Sequence, residues 1–223
     1  MVYDFHTHTV LSDGELSAVE LARRAVVNGY RALAITDHAA LGSLERIVRE
    51  LATECELIQK YWGLIALPGV ELTHVPAAAI ADAAAKAKDL GARIVIVHGE
   101  TPVEPVEPGT NRAAIMSPHV DVLAHPGLLT IEEAELAAER PTYLEISARK
   151  GHSLANGHVA ALAIKAGAPL VVDSDAHAPE DLLTEVFAKT VARGAGIPPE
   201  QLRAVLQGNP VALLGRLGVT VSA

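Results

Sequence analysis

The sequence predicts a single α/β domain built from parallel strands and the helices that connect them. Seven short runs of Val, Ile, Leu and Ala alternate with longer segments in which apolar residues recur every three or four positions. Short, continuous apolar runs are typical of strands buried on both faces, and the alternation with helices indicates parallel strands joined by right-handed crossovers. Seven such units favour a barrel, although a doubly wound open sheet would show the same alternation.

The elements follow one another without a linker, a low-complexity segment or a shift in composition. The predicted strands are residues 2–5, 32–35, 64–67, 93–97, 120–124, 143–146 and 169–172. The predicted helices are residues 15–28, 43–61, 76–90, 110–117, 130–140, 156–166, 179–193, 199–207 and 210–217. Residues that commonly end helices support several of these bounds, such as Asn28-Gly29 after the first helix. We therefore expect one domain over residues 1–223.

Composition narrows the classes of function. The formal net charge is -9 and only 3% of the residues are aromatic. A protein that binds a nucleic-acid backbone usually carries the opposite charge.

Cys55 is the single cysteine, which excludes an internal disulfide and a cysteine-based zinc site. We see no signal peptide and no run of apolar residues long enough to span a membrane, so we expect a cytoplasmic protein without a membrane partner.

Potential metal ligands follow the predicted strands. His, Asp and Glu stand at or just after the carboxyl ends of the strands, in the segments His6-Thr7-His8, Asp37-His38, Glu71, His98, His125, Glu145 and Asp175-Ala176-His177. In a parallel barrel these ends converge on one face, where the active site is normally built. Imidazoles and carboxylates are ligands of Zn, Mn and Fe. Residues two apart on an extended segment share a face, so His6 with His8, and Asp175 with His177, can each direct two ligands to one place.

These motifs resemble those of the PHP family, named for polymerase and histidinol phosphatase. The resemblance covers residues 1–178, leaving helices at 179–217, and it runs in order through His6-Thr7-His8 with Asp13, Asp37-His38 with Glu71, then His98 and His125, and Asp175-Ala176-His177. It implies a distorted seven-stranded (β/α) barrel of the TIM-like type and a centre of two or three divalent ions, with Zn, Mn or Fe as candidates.

The resemblance also implies how the ligands are shared. His6, His8, Glu71 and Asp175 would hold one metal, and Glu71 would bridge to a second metal held by His98 and His125. A third would be held by Asp13, His38 and His177. Glu71, Asp175 and His177 are the predicted catalytic residues of this set.

Three further residues are candidates for contact with a phosphate. Arg149 and His152 lie in the loop after the sixth strand, and an Arg side chain can bind phosphate through two hydrogen bonds. Arg112 lies where a helix begins, and the amides of a helix start also suit an anion. We expect Asp37 and Glu145 either to orient ligating histidines or to bond to nearby backbone.

The leading functional hypothesis is metal-dependent hydrolysis of a phosphoric monoester on a small metabolite, by metal-activated water. A phosphodiesterase or nuclease acting on nucleotides or short oligonucleotides is the alternative. A non-catalytic subunit of an RNA-processing assembly would show lost ligands and a basic surface, and this sequence shows neither.

Overall fold

The computed structural model describes residues 1–140 and 142–221. Its strands are β1 (Val2–Asp4), β2 (Tyr30–Ile35), β3 (His38–Ala39), β4 (Ile65–Leu72), β5 (Ile94–His98), β6 (Val122–Ala124), β7 (Tyr143–Ser147) and β8 (Leu170–Asp173). All described pairings are parallel, in the order β1-β2-β4-β5-β6-β7-β8, with the short β3 beside β4.

Helices connect these strands around the outside. They are α1 (Ala18–Val27), α2 (Leu44–Trp62), α3 (Ile80–Asp89), α4 (Thr110–Met116), α5 (Ile131–Glu139), α6 (Asn156–Ala166), α7 (Glu185–Gly194) and α8 (Asn209–Arg216). Ser17 caps α1 by accepting a hydrogen bond from the Glu20 amide, and Thr130 caps α5 reciprocally with Glu133. No helix in the described residues is long and apolar enough to cross a membrane.

The sheet closes between its first and last strands just beyond their carboxyl ends. The amide of Asp175 donates to His6 O and the amide of His8 donates to Ala176 O, both at 2.9 Å. Next to this closure, two buried carboxylates take the place of backbone carbonyls as hydrogen-bond acceptors between the two strands. Asp173 accepts from the Phe5 amide, and Asp4 accepts from the Ser174 amide. The barrel predicted from the sequence is therefore correct, and the open sheet is not.

Alternation along the strands divides the barrel interior into an apolar layer and a polar layer. Tyr3, Phe5, Leu67, Ile94, Ile96, Val122, Tyr143 and Val171 form an inner core, with Leu213 and Leu214 of α8 packed against it. Two residues further along, the inward positions of β5, β7 and β8 become His98, Glu145 and Asp173, and Glu71 lies four residues beyond Leu67 on β4; all four are buried. The same period of two that fills the core with apolar groups thus directs these polar side chains toward one interior region.

Some predicted bounds were wrong. The third strand was predicted to stop at Leu67, yet β4 continues through Pro68 and Gly69 to Leu72. Gly69 allows this because a Cβ there would lie 2.5 Å from Ile94 Cγ2, so only glycine fits between the neighbouring strands. The helix predicted at 179–193 begins only at Glu185, where Thr184 caps it. The predicted helices at 199–207 and 210–217 are a π-helical turn, Ala204–Gly208, that runs directly into α8.

Candidate metal centre

His6 and His8 extend from β1 into the closed end of the barrel, and both are buried. Glu145 of β7 fixes the ring of His6, because its Oε2 lies 2.6 Å from His6 Nδ1. The opposite ring nitrogen, Nε2, then faces Glu71 and Asp175 at 3.4 and 3.7 Å. Such a carboxylate–imidazole pair sets the tautomer that leaves the inner nitrogen free as a ligand.

Glu71 lies at the centre of the cluster and is completely buried. Its carboxylate lies within 3.9 Å of five imidazoles, contributed by His6, His8, His38, His98 and His125. The strand register explains this position, because Glu71 is paired with His38 on β3 and with Ile96 on β5, two residues before His98.

Asp175 is a second point of convergence. Its carboxylate oxygens lie within 3.8 Å of nitrogens of His6, His8, His125, His152 and His177. Asp175 has a left-handed backbone with φ of 53°, and His125 has φ of 26°. These conformations are costly for residues other than glycine, and they are typical of functional sites whose surroundings hold the side chain in place.

Asp13, His38 and His177 form a third group at the mouth. Asp13 Oδ1 lies 3.4 Å from His38 Nε2 and 3.2 Å from His177 Nε2. These three side chains, together with His8, have ligand atoms within 4.8 Å of one another. Similar groups are formed by His6 with Glu71 and His125, by His6 with His8 and Asp175, and by His38 with Glu71 and His98. The nine residues predicted from the sequence are thus brought together in space.

The chemistry of this cluster fits bound metal ions. His6 Nε2, both nitrogens of His8, His98 Nε2 and His125 Nδ1 are buried and have no hydrogen-bond partner. Buried polar atoms normally have partners, because leaving one unsatisfied is costly. Metal ions bound at His6 Nε2 and His8 Nε2, the two of these atoms that face Glu71 and Asp175, would satisfy both nitrogens and balance the charge of the carboxylates.

The side chains of the cluster have pKa values that are shifted in different directions. Burial opposes charge on His6, but Glu145, Asp175 and Glu71 together raise its pKa well above its ordinary value. Burial, with the neighbouring imidazoles of His6 and His38, lowers the pKa of His8 to about 3. Burial would raise the pKa of Glu71, yet His6, His98 and His38 hold it well below its usual range. The Glu71 side chain is therefore ionised and that of His8 neutral.

Comparison with known proteins identifies the family. Residues 4–71 match the model of the PHP domain. A probable phosphatase of Thermoanaerobacter sp. (strain X514) is 30% identical over 214 residues, which cover 88% of this chain and 87% of that protein. The chain belongs to the PHP domain family. Within that family it is a metal-dependent phosphoesterase.

Two further similarities span nearly the whole chain. An uncharacterised protein of Methanocaldococcus jannaschii, MJ1295, is 49% identical over 97% of this chain and 100% of its own length. The crystal structure of histidinol phosphate phosphatase from Lactococcus lactis, complexed with Zn, L-histidinol and phosphate, superposes with a TM-score of 0.60 at 14% identity, covering 88% of this chain and 94% of that one. This second likeness shows that the barrel of the PHP domain is shared.

A cavity of about 460 Å³ opens above the candidate metal ligands of this PHP domain. Arg149 and His152 line it together with Asp13, His38, His98, Asp175 and His177. Arg149 Nη1 donates to Asp175 O at 3.2 Å, and its Nε lies 3.8 Å from Asp175 Oδ2. Arg112, the other predicted phosphate contact, is exposed on α4 and is not among the described residues that line the cavity. The geometry therefore favours Arg149 over Arg112.

Asp37 and Glu145 differ in what they contact. Glu145 contacts His6, as expected for a residue that orients a ligand. Asp37 instead accepts hydrogen bonds from the Thr9 amide and hydroxyl and from the Ser12 hydroxyl. Asp37 therefore fixes the loop that leads to Asp13, and within the described residues it neither orients a histidine nor bonds to backbone near it in the sequence.

Sequence reasoning missed two residues at the mouth. Glu104, in the proline-rich loop after β5, lies 3.1 Å from His98 Nε2 and 3.5 Å from His152 Nε2. The Nε2 atom of His74, just after β4, lies 3.4 Å from Glu104 Oε2. The density of prolines at 102, 105 and 108 was a signal of a rigid loop, but nothing in the sequence showed that the loop folds over the cavity.

Proposed function

We propose that this phosphoesterase hydrolyses the phosphoric monoester of a small phosphorylated metabolite at a multinuclear metal centre. One observation carries the proposal: Glu71 and Asp175, two buried carboxylates, are each within 3.9 Å of five imidazole side chains. A single ion has too few coordination positions for so many donors. The likeness to a histidinol phosphate phosphatase in fold is consistent with a small substrate but does not select one.

The nine ligands would be shared as the family resemblance implies. His6, His8, Glu71 and Asp175 would hold one ion, and Glu71 would also serve a second ion with His98 and His125. Asp13, His38 and His177 would hold a third. Zn, Mn or Fe suits this mixture of imidazole and carboxylate donors. Bound ions would polarise the phosphoryl oxygens, neutralise charge on the leaving group and activate water at neutral pH.

The chain's own residues position these groups. Glu145 holds His6 in one tautomer through the 2.6 Å contact with Nδ1. Thr73 Oγ1 lies 2.6 Å from His38 Nδ1 and 3.1 Å from Glu71 Oε2, so it restrains both side chains. Arg149 contributes a permanent positive charge to the cavity wall, where it can bind a phosphoryl oxygen and orient the phosphate for attack.

Cavity size and charge support a small monoester over a polymer. A cavity of about 460 Å³ is in the ordinary range for a metabolite site. Asp13 and Glu104, both exposed acids, lie at its mouth, and the whole chain carries a net charge of -9. A long polyanion would be repelled by this surface, whereas a single phosphate could reach Arg149 and the bound ions.

The test is a hydrolysis assay over a panel of phosphorylated metabolites, with Mn, Zn, Fe and Mg supplied in turn. Nucleotide diesters and short oligonucleotides belong in the same panel. We expect release of inorganic phosphate from at least one small monoester, and inhibition by chelators. Cleavage of the diesters alone, with every monoester untouched, would contradict the proposal and favour the nuclease alternative.

Arg149→Ala is expected to lower kcat/KM by about 10- to 100-fold without changing metal content. The reason is the loss of a charge-assisted hydrogen bond to the phosphate, which costs roughly 1.5–3 kcal/mol. Lys150→Ala is the matched control, because Lys150 is the adjacent cation and is exposed. Steady-state kinetics and elemental analysis of both variants provide the comparison. Equal kcat/KM in the two variants would show that Arg149 does not bind substrate.

A further inference from the structure

We propose that the mouth of the cavity carries an additional cation site, formed by Glu104, His74 and His98 and suited to a divalent transition metal ion. Neither Glu104 nor His74 belongs to the nine ligands of the proposed centre. The site therefore goes beyond the proposed function, and we call it the rim site.

The three donors come from separate parts of the chain and meet at one carboxylate. Glu104 Oε2 lies 3.1 Å from His98 Nε2 and 3.4 Å from His74 Nε2. The ligand atoms of these three residues all lie within 4.8 Å of one another. His152 Nε2 approaches the other carboxylate oxygen at 3.5 Å, so a fourth donor lies next to the rim site.

His98 provides independent support for a ligand at the rim. Its side chain is 3% exposed, and its Nε2 has no hydrogen-bond partner although Glu104 lies 3.1 Å away. The other ring nitrogen, Nδ1, lies 3.1 Å from Glu71 Oε1. The two nitrogens of His98 thus point to two different places, one toward the centre and one toward the rim. A cation between His98 Nε2 and Glu104 would satisfy the unpartnered nitrogen. With an ion of the central site also at Nδ1, the ring would bind as an imidazolate and its N–H proton would be released to solvent.

The surrounding loops hold these donors together. Pro102 and Pro105 flank Glu104 and restrict the backbone on both sides. The carboxylate of Glu107 accepts a hydrogen bond from the Ala77 amide at 2.9 Å, which ties the proline-rich loop to the turn that follows His74. His74 itself has a left-handed backbone, with φ of 50°. The two loops therefore hold His74 close to Glu104, and this proximity does not depend on the ion pair between these two side chains alone.

The chemistry of the donors indicates the class of ion. Two imidazoles and one carboxylate, with the remaining positions open to the cavity, suit Zn²⁺, Mn²⁺, Fe²⁺ or Co²⁺ better than Ca²⁺ or Mg²⁺. An ion there would also neutralise Glu104, whose negative charge would otherwise oppose the entry of a phosphate. The rim site would thus add a positive charge at the mouth of the cavity, in addition to that of Arg149.

The experiment is a Co²⁺ titration of the metal-free chain, followed by visible absorption and by equilibrium dialysis to count bound ions. We compare the native chain with Glu104→Gln and with His74→Asn. Glu132→Gln and His119→Asn are the matched controls, because they remove an acid and an imidazole at exposed positions on α5 and before β6. His74 is exposed, with 45% of its side chain accessible, so its variant should fold even if the Glu104 variant does not.

We expect each rim variant to lose one Co²⁺-binding step, weakened at least about 10-fold, while the other steps and both controls remain as in the native chain. Retention of every step in both rim variants would overturn the proposal and leave Glu104 and His74 as a surface ion pair. Loss of all steps in either variant would also overturn it, since the residue would then belong to the central site. Failure of the nine-ligand centre is distinguished by Glu71→Gln, which should remove the tighter steps.

Discussion

Glu71→Gln is expected to abolish phosphoesterase activity and to weaken metal binding by more than about 100-fold. Changing a residue that only orients a ligand typically costs 10- to 100-fold in metal affinity, so loss of a charged ligand shared by two ions should cost more. Glutamine keeps the size of the side chain but removes the negative charge that faces five imidazoles. Metal content and turnover are measured on the same preparation.

His158→Ala is the control for Glu71→Gln. His158 is exposed on α6, and its Nε2 donates to Leu129 O at 2.8 Å, away from the cluster. We expect this variant to keep its metal and nearly all of its activity. Comparable losses in the two variants would show that Glu71 is not a central ligand.

Gly127→Ala is expected to lower the free energy of unfolding by roughly 2–5 kcal/mol in the metal-free chain. Gly127 has φ of 62°, and a Cβ there would lie 2.0 Å from Glu100 O. Gly99 makes the reciprocal approach, since its Cβ would lie 2.3 Å from Ala124 O. These two glycines interlock the segments that begin directly after His98 on β5 and after β6, where His125 lies. The substitution should therefore also reduce metal affinity.

Gly63→Ala separates backbone strain from steric clash. Gly63 has φ of 64°, almost the same as Gly127, but open space surrounds the place where its Cβ would be. Gly63→Ala should lower the free energy of unfolding by only about 1–2 kcal/mol, which is the strain of a left-handed backbone. Urea unfolding of both variants with chelator present measures the difference. Equal costs would show that the loop contact at Gly127 relaxes freely and does not fix the ligands.

The barrel could be predicted because its signal is local and repeated. Each apolar run and each amphipathic helix is visible in the sequence, and the parallel topology follows from their alternation. The strand ends were less predictable. Pro68-Gly69 is typical of a turn, but close packing between β2 and β5 keeps those residues in β4, and this places Glu71 inside a strand.

The convergence of the candidate ligands was predictable for the same reason, whereas the residues at the mouth of the cavity were not. Ligand types at the ends of parallel strands must converge, so their proximity follows from topology. The direction of a loop side chain depends on tertiary contacts that leave no periodic signal. Arg112 and Arg149 both follow a strand on the same face, yet Arg149 lines the cavity and Arg112 is exposed. Glu104 enters the mouth because its loop is tied down by Glu100 and Glu107.

Elemental analysis of the chain, purified without chelator and reconstituted with Zn, Mn or Fe, is the most direct test of the multinuclear centre. The ligand geometry predicts at least two ions bound per chain and phosphate-releasing activity that rises with their number. One ion or none at saturation would contradict the multinuclear centre and the assignment of Glu71 as its shared ligand.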